Sequence, residues 1–343
     1  MKNTLLLFLS LFLSHSVLHS QTDYVSVPPI SGPGSPTYLH EKVVQYDFAK
    51  KPHGYWLFEP AAPRPDSANV IVFNHGYGGY NPMIYGQWIK HLVRKGNIVI
   101  FPRYQRNVYF PRPRKFSKNV SKAIRNALEK IEKGDFVKPI TSHLAMVGHS
   151  YGGVVSADLA VNFEKHRIPK PVAVMLCSPG TGPLRGGRLK TYKEMPSDIK
   201  LIVIVSKNDK TVGEKFGKKV FETATEVIDR NFIRQYADRS ISPSQNAGHN
   251  ESYALDKNFD NGKRNFTSRR ALRIGKTNNM DYYGYWKIFD ALLACSRSGN
   301  YCNYAFGNTP EQRFMGIKKD GELVKELEII LPTFSIGKPI SSQ

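Results

Sequence analysis

Long apolar runs, metal-binding patterns and acidic charge are scarce in this sequence. After the N-terminus no apolar stretch reaches the roughly 20 residues that a membrane helix needs, so no transmembrane segment is predicted. HExxH, CxxC and paired-carboxylate patterns are missing, and neither glycine-rich loop carries the lysine of a phosphate-binding loop. We therefore expect neither a metal nor another cofactor.

Basic residues greatly outnumber acidic ones. Lysine and arginine total 49 against 28 aspartates and glutamates, which gives a formal net charge of +21. One interpretation is a basic surface of solvated lysines; the other is attraction to an anionic surface or polysaccharide. The observation that supports the second is a cluster of cations, which comprises Arg103, Arg106, Arg112, Arg114 and Lys115. The cations are otherwise spread along the chain without zinc, aromatic RNA-binding or basic heptad patterns, so no nucleic-acid partner is expected.

The N-terminal residues have the pattern of an export signal. Lys2 precedes the apolar stretch 5–13, and small polar residues follow to Ser20. Cleavage after Ser16 or Ser20 fits the pattern, and Ser20 is slightly favoured. We expect a signal peptide at 1–20, a Pro/Gly-rich leader at 21–40, and a single catalytic domain at 41–343. The protein would be secreted or periplasmic, and monomeric.

Short apolar runs alternate with amphipathic stretches through the rest of the chain, the pattern of βαβ units. Five runs rich in β-branched residues predict strands buried on both faces of a parallel sheet: 70–73, 98–101, 144–147, 172–176 and 201–205. Helical spacing follows at 120–131, 154–160 and 285–293, and Asp320-Gly321 signals a hairpin. The predicted fold class is α/β, with a doubly wound, mostly parallel sheet.

The motif Gly148-His149-Ser150-Tyr151-Gly152 lies between the run 144–147 and a helical stretch. This is the context that GxSxG requires, because small residues two before and two after the serine permit a tight strand-to-helix turn that exposes its hydroxyl. The helix start also offers backbone N–H groups and a positive dipole end. Ser150 is therefore the predicted nucleophile; the alternative is a serine in an ordinary glycine turn.

A second glycine-rich motif, His75-Gly76-Tyr77-Gly78-Gly79, directly follows the run 70–73. Acyl transfer builds negative charge on a carbonyl oxygen, which needs two fixed hydrogen-bond donors. The backbone N–H groups of Tyr77 and Tyr151 are the predicted oxyanion donors. The alternative is a plain turn between a strand and a helix.

Together the two motifs resemble the α/β-hydrolase superfamily, nearest to its dienelactone-hydrolase, chlorophyllase and polyester-hydrolase-like branches. The similarity extends from about residue 40 to about residue 330. It implies a sheet of about eight strands with flanking helices, a serine nucleophile and ester substrates. Dienelactone hydrolases use cysteine at the position of Ser150, which disfavours that activity here.

The superfamily places the acid and then the histidine after the serine in chain order. Asp209 follows the run 201–205 and is the predicted acid, with Asp198 and Asp229 as alternatives. Only His166 and His249 follow Ser150; the first lies in a charged helix end. His249 is therefore the predicted base, in a loop after a candidate strand at 232–236.

The remaining predictions concern the pocket and the cysteines. Tyr80 and Trp88 are expected to line an acyl pocket, although aromatic residues near such loops are as often core. Cys295 and Cys302 are expected to form a disulfide, and Cys177 to be a buried strand residue.

The predicted function is hydrolysis of carboxylic esters through an acyl-enzyme on Ser150. Only 24 residues separate Leu176 from Leu201, too few for a large lid, so we expect an open site for small-molecule or polymer-bound esters, with 256–279 at one rim. The alternatives are a peptidase or thioesterase on the same scaffold, or a binding protein without catalysis.

Overall fold

The computed structural model describes residues 26–241 and 244–332. The proposed signal peptide and the first residues of the expected leader lie outside this range. Residues 26–41 contain no helix or strand, as the density of proline and glycine in the expected leader predicts.

Within the described residues, one sheet contains nine strands. They are β1 (Lys42–Asp47), β2 (Tyr55–Ala61), β3 (Ser67–Asn74), β4 (Asn97–Pro102), β5 (Lys138–His149), β6 (Ala173–Cys177), β7 (Lys200–Ser206), β8 (Arg230–Gln235) and β9 (Glu328–Ile330). Their order across the sheet is β1-β2-β4-β3-β5-β6-β7-β8-β9. From β4 to β8 all neighbours are parallel, whereas β1, β2 and β9 pair antiparallel at the two edges. The mostly parallel sheet is confirmed, with nine strands where about eight were expected.

The helices of the described region occupy the connections between these strands. They are α1 (Gly86–Arg94), α2 (Phe116–Lys133), α3 (Tyr151–Val161), α4 (Phe163–His166), α5 (Lys215–Thr223), α6 (Phe266–Ile274), α7 (Lys287–Ser298), α8 (Cys302–Ala305) and α9 (Pro310–Arg313). A π-helical turn, Met280–Trp286, leads directly into α7. The predicted helical stretches correspond to α2, α3 and the unit formed by this turn and α7.

Two apolar cores lie on opposite faces of the sheet. Alternate side chains of β3 divide between them: Ile71 and Phe73 join the core under α1 and α7, while Val70 and Val72 join the core under α2, α3 and α5. Strands covered on both faces are apolar at nearly every position, which explains the continuous runs in the sequence. The doubly wound architecture is thereby confirmed.

Two local features hold the C-terminal region. A disulfide joins Cys295 near the end of α7 to Cys302 at the start of α8, as expected. The backbone N–H of Lys318 donates to the carbonyl of Glu322 at 2.7 Å, which closes a small hairpin around Asp320-Gly321. Cys177 is a free, buried thiol at the end of β6.

The carboxyl ends of the parallel strands bring distant loops to one edge. β5 ends one residue before Ser150, and β7 ends three residues before Asp209. His249 lies in the long connection after β8. The connection 178–199 between β6 and β7 contains no helix, so no helical lid projects from this position. In open α/β sheets, this edge is where binding sites form.

Candidate active site

Ser150 occupies a strained turn between β5 and α3. Its backbone lies at φ 54° and ψ −119°, in a region that residues with a Cβ rarely adopt. The turn is fixed because the N–H of Ser150 donates to the carbonyl of Cys177 at 2.9 Å. The hydroxyl is thereby presented at the carboxyl edge of the sheet.

The glycines that flank Ser150 have no room for a side chain. A Cβ on Gly148 would overlap the carbonyl oxygen of Gly152, and a Cβ on Gly152 would overlap that of Asn74. These neighbours are backbone atoms and cannot rotate away. The turn therefore requires glycine at both positions, which is the physical basis of the sequence pattern.

Ser150, His249 and Asp209 form one series of hydrogen bonds. The Nε2 atom of His249 lies 2.8 Å from the Oγ of Ser150, and its Nδ1 lies 2.7 Å from the Oδ2 of Asp209. The side chain of His249 is 10% exposed and that of Asp209 is 1% exposed. A nucleophile, a base and an orienting acid need this arrangement.

The carboxylate of Asp209 is held from two sides. Its Oδ1 accepts hydrogen bonds from the backbone N–H groups of Thr211 at 2.8 Å and Val212 at 3.0 Å, while Oδ2 faces His249. Burial raises the pKa of Asp209, but these hydrogen bonds and the charge of His249 outweigh it, so its pKa is lowered. The carboxylate therefore stays ionised beside the imidazole.

The other acids considered from the sequence lie elsewhere. Asp198 forms an ion pair with Lys170, and Asp229 forms one with Lys200. Neither contributes to the hydrogen-bond series at Ser150.

Backbone contacts hold the loop that carries His249. The N–H of Asn208 donates to the carbonyl of Ala247 at 2.9 Å, which connects this loop directly to the one bearing Asp209. The N–H of Gly248 donates to the Oε1 of Glu251 at 2.7 Å. Burial raises the pKa of Glu251, and the hydrogen bond from Gly248 lowers it less. These two hydrogen bonds hold the residues just before His249 in place.

A buried relay that sequence reasoning missed connects the two glycine-rich motifs to the His249 loop. The N–H of Gly76 donates to the hydroxyl oxygen of Tyr85 at 2.9 Å, and this hydroxyl lies 2.9 Å from Nδ1 of His149. Nε2 of His149 lies 2.9 Å from the carbonyl oxygen of His249. A carbonyl only accepts, so Nε2 carries the proton and Nδ1 accepts from Tyr85. His149 therefore positions the backbone of the proposed base.

Replacing His149 is expected to change the acid sensitivity of folding. Burial lowers the pKa of His149 to about 3, whereas an unfolded histidine has a pKa of about 6.5. Between these values only the unfolded state binds the proton, so this group lowers the free energy of unfolding as the pH falls. From pH 7 to pH 5 the loss is about 2 kcal/mol.

H149Q keeps a hydrogen-bond donor but cannot titrate. We expect it to be less stable than the wild type at pH 7, and this deficit to shrink by about 2 kcal/mol at pH 5. Urea unfolding at both pH values measures the two differences. An equal deficit at pH 7 and pH 5 would show that His149 takes up protons equally in both states.

The two residues whose N–H groups are the predicted oxyanion donors both border the site of Ser150. Tyr77 and Tyr151 both line the cavity next to the hydroxyl, and a Cβ on Gly76 would lie 3.3 Å from the Cβ of Ser150. Tyr151 is the first residue of α3, so its N–H has no acceptor within the helix. The carbonyl of Tyr77 accepts from the hydroxyl of Thr267 at 3.1 Å, which fixes the loop against α6.

A cavity of about 360 Å³ surrounds the Ser150 hydroxyl. Its lining residues include the segment 180–184 and, from α6, Phe266, Thr267 and Arg270. Because α6 lies within 256–279, this segment forms a rim, as expected. The volume is within the range of small-molecule sites.

Tyr80 and Trp88 do not line this cavity, so the expectation of an acyl pocket there is wrong. Trp88 is fully buried and packs in the core against Phe73 and Phe289. The periodicity of α1 directs this side chain towards the sheet instead of the substrate. Tyr80 is also buried, with its ring near His75. Tyr80 and Trp88 are close in sequence to the loop 75–79, but their side chains do not lie at the cavity.

Comparison with protein families supports the resemblance carried by the motifs. Residues 40–197 match the model of the chlorophyllase family. The matched range contains both glycine-rich motifs and Ser150, and it ends before Asp209 and His249. The match covers less than half of the chain. A comparison with curated proteins found no match.

Across residues 26–241 and 244–332, no three or more histidine, cysteine or acidic side chains are grouped so that they could hold a metal ion. In the same part of the chain, every helix is too short or too polar to cross a membrane.

Proposed function

We propose that this chain, which has the sheet and helices of an α/β-hydrolase fold and matches the chlorophyllase family over residues 40–197, is a serine esterase that forms an acyl-enzyme on Ser150. The observation that carries the proposal is the continuous hydrogen-bond series from the Ser150 hydroxyl through His249 to Asp209, with donor–acceptor distances of 2.8 and 2.7 Å. These distances suit direct proton transfer.

In the first half of the reaction, Oγ of Ser150 attacks the ester carbonyl while its proton passes to Nε2 of His249. The imidazolium that forms is stabilised by the ionised Asp209. The carbonyl oxygen becomes negative and is held by the N–H groups of Tyr77 and Tyr151. Collapse of this intermediate breaks the bond to the alcohol, which leaves with the proton from His249.

In the second half, water attacks the acyl-enzyme and gives its proton to His249. The new tetrahedral intermediate collapses, the carboxylic acid leaves, and Ser150 recovers its proton. His249 thus acts as base and acid in turn in each half-reaction. The protein, the ester and water account for every proton and leaving group in the two half-reactions.

We also propose that the protein is exported. The support is the signal pattern at 1–20 and the disulfide between Cys295 and Cys302, because disulfides persist in oxidising compartments. The connection 178–199, which has no helix, supports an open site that admits bulky or polymer-bound esters.

A fluorophosphonate probe and a substrate panel test the assignment. We expect one label per chain on Ser150, and hydrolysis of p-nitrophenyl esters at least about 100-fold faster than that of matched p-nitroanilides, since an aniline leaves less readily than a phenolate. The panel varies acyl length and includes a thioester. A folded wild-type chain that takes no label would contradict the proposal, and faster cleavage of anilides or thioesters would favour a peptidase or a thioesterase.

A further inference from the structure

A second depression adjoins the Ser150 cavity. This basic cleft, of about 860 Å³, lies between the segment 188–190 and α5. It shares with the cavity the residues 180–182 and 211–212. A chain bound in the cleft would therefore reach the Ser150 hydroxyl across this shared border.

Cations dominate the side chains of the basic cleft. Five line it: Arg188, Lys190, Lys215, Lys218 and Lys219; the only carboxylate among its lining residues is Glu222. Glu222 lies 3.7 Å from Lys218, and Lys219 donates to the carbonyl of Leu189. Within the described residues, Arg188, Lys190 and Lys215 have no carboxylate partner within 4 Å. Three positive charges thus face the cleft uncompensated.

Positive charge continues around the Ser150 cavity. Arg270, which has no ion-pair partner in the described parts of the chain, lines the α6 side, and the lining residues include no carboxylate. On the cleft side, burial raises the pKa of the Tyr151 hydroxyl to about 12, and the nearby Arg188 guanidinium opposes this rise. Tyr151 lines the cavity and also donates to the carbonyl of Gly186 at 2.8 Å. Arg188 therefore lies near a side chain that lines the Ser150 cavity.

We propose that the basic cleft binds an acidic polysaccharide, whose carboxylates lie along Arg188, Lys190 and Lys215 while an ester on the same chain enters the Ser150 cavity. The inference rests on the proposed esterase function and specifies its substrate class. A row of cations beside a cavity with no acidic side chain attracts a repeated anion and repels a cationic polymer. A polymer fits better than a single small acid, because the cations extend beyond the cavity.

The attraction depends on ionic strength. Exposed charges are screened over about 10 Å at 0.1 M salt. We therefore expect kcat/KM for an anionic ester polymer to fall as salt rises, while kcat/KM for neutral p-nitrophenyl acetate changes little.

Two polymers isolate the contribution of substrate charge. One is an O-acetylated polyuronate, and the other is a carboxyl-reduced form of the same polymer, acetylated to the same degree. The scissile bond and the released acetate are the same in both. We expect the wild-type enzyme to release acetate from the polyuronate with about tenfold higher kcat/KM at low salt.

A triple variant tests the basic cleft itself. R188Q/K190Q/K215Q is expected to lower the ratio of kcat/KM for the acetylated polyuronate to that for p-nitrophenyl acetate by about tenfold, and to flatten the salt dependence. The matched control is a variant with the same loss of charge at three exposed lysines outside both lining sets, K42Q/K122Q/K165Q. It should keep the wild-type ratio. Thermal unfolding of both variants checks that they fold.

Several outcomes would overturn the inference: equal rates on the two polymers, an equal loss in the two triple variants, or activity confined to p-nitrophenyl acetate. The last of these leaves the esterase proposal intact. If no ester is cleaved and Ser150 takes no fluorophosphonate label, the proposed function fails instead. Calorimetric binding of unesterified polyuronate to S150A, with and without the triple substitution, then tests the cleft independently of turnover: weaker binding in the triple variant supports it, and unchanged binding overturns it.

Discussion

S150A is expected to lose ester hydrolysis by a factor of about 10⁵ or more, while folding normally. Only the hydroxyl group is removed, and alanine, like serine, carries a Cβ in the left-handed backbone at φ 54°. Without Oγ, His249 has no proton to accept and no acyl-enzyme forms. Initial rates on p-nitrophenyl acetate and the thermal unfolding temperature measure the two effects.

The matched control is S121A. Ser121 is a buried serine on α2 whose hydroxyl donates to the carbonyl of Lys118, away from the cavity. Its activity should stay within about threefold of the wild type, since no reacting group is touched. Retention of substantial hydrolysis by purified S150A would remove Ser150 from the mechanism.

D209N is expected to lower kcat by about 10⁴-fold with little change in KM. An amide at this position offers N–H to Nδ1 of His249, which lies 2.7 Å from the present carboxylate. The imidazole would then carry its proton on Nε2 and could not accept from Ser150. The carboxamide also provides no negative charge for the imidazolium.

D198N serves as the control for charge. Asp198 pairs with Lys170 on the surface, and an exposed pair contributes little. Its kcat should remain within about twofold of the wild type. If D209N retained kcat while D198N lost it, the acid would have been assigned to the wrong loop.

The central strands could be predicted from the sequence because they are buried on both faces and are apolar at almost every position. The antiparallel strands towards the two edges of the sheet could not be predicted in this way. In β2 the apolar run is interrupted by Glu59 and Pro60, and Glu59 is buried because its carboxylate accepts the N–H of Val137 at 2.8 Å. Strand β9 has only three residues. Such strands depend on their neighbours, which local periodicity does not reveal.

In the candidate site, too, some residues could be predicted from the sequence and some contacts could not. Ser150 lies in a motif whose spacing follows from local sterics. Asp209 and His249 were predicted as its partners from the chain order that the superfamily resemblance implies and from the strand that precedes each loop. The Tyr85–His149 contact joins residues 64 positions apart, and the contact from His149 to the His249 carbonyl spans 100. Pairings at such separations leave no local pattern. The imidazole of His149 inside the serine motif was the available signal.

The left-handed turn at Ser150 has a consequence for how this protein evolves. Glycine adopts such a backbone freely, while any other residue gives up of the order of 1 kcal/mol of folding free energy there. A descendant that no longer needed the reaction would gain stability from a single serine-to-glycine change. The backbone at position 150 thus favours a residue without a hydroxyl, and the stability that serine gives up there is a cost that the proposed chemistry would offset.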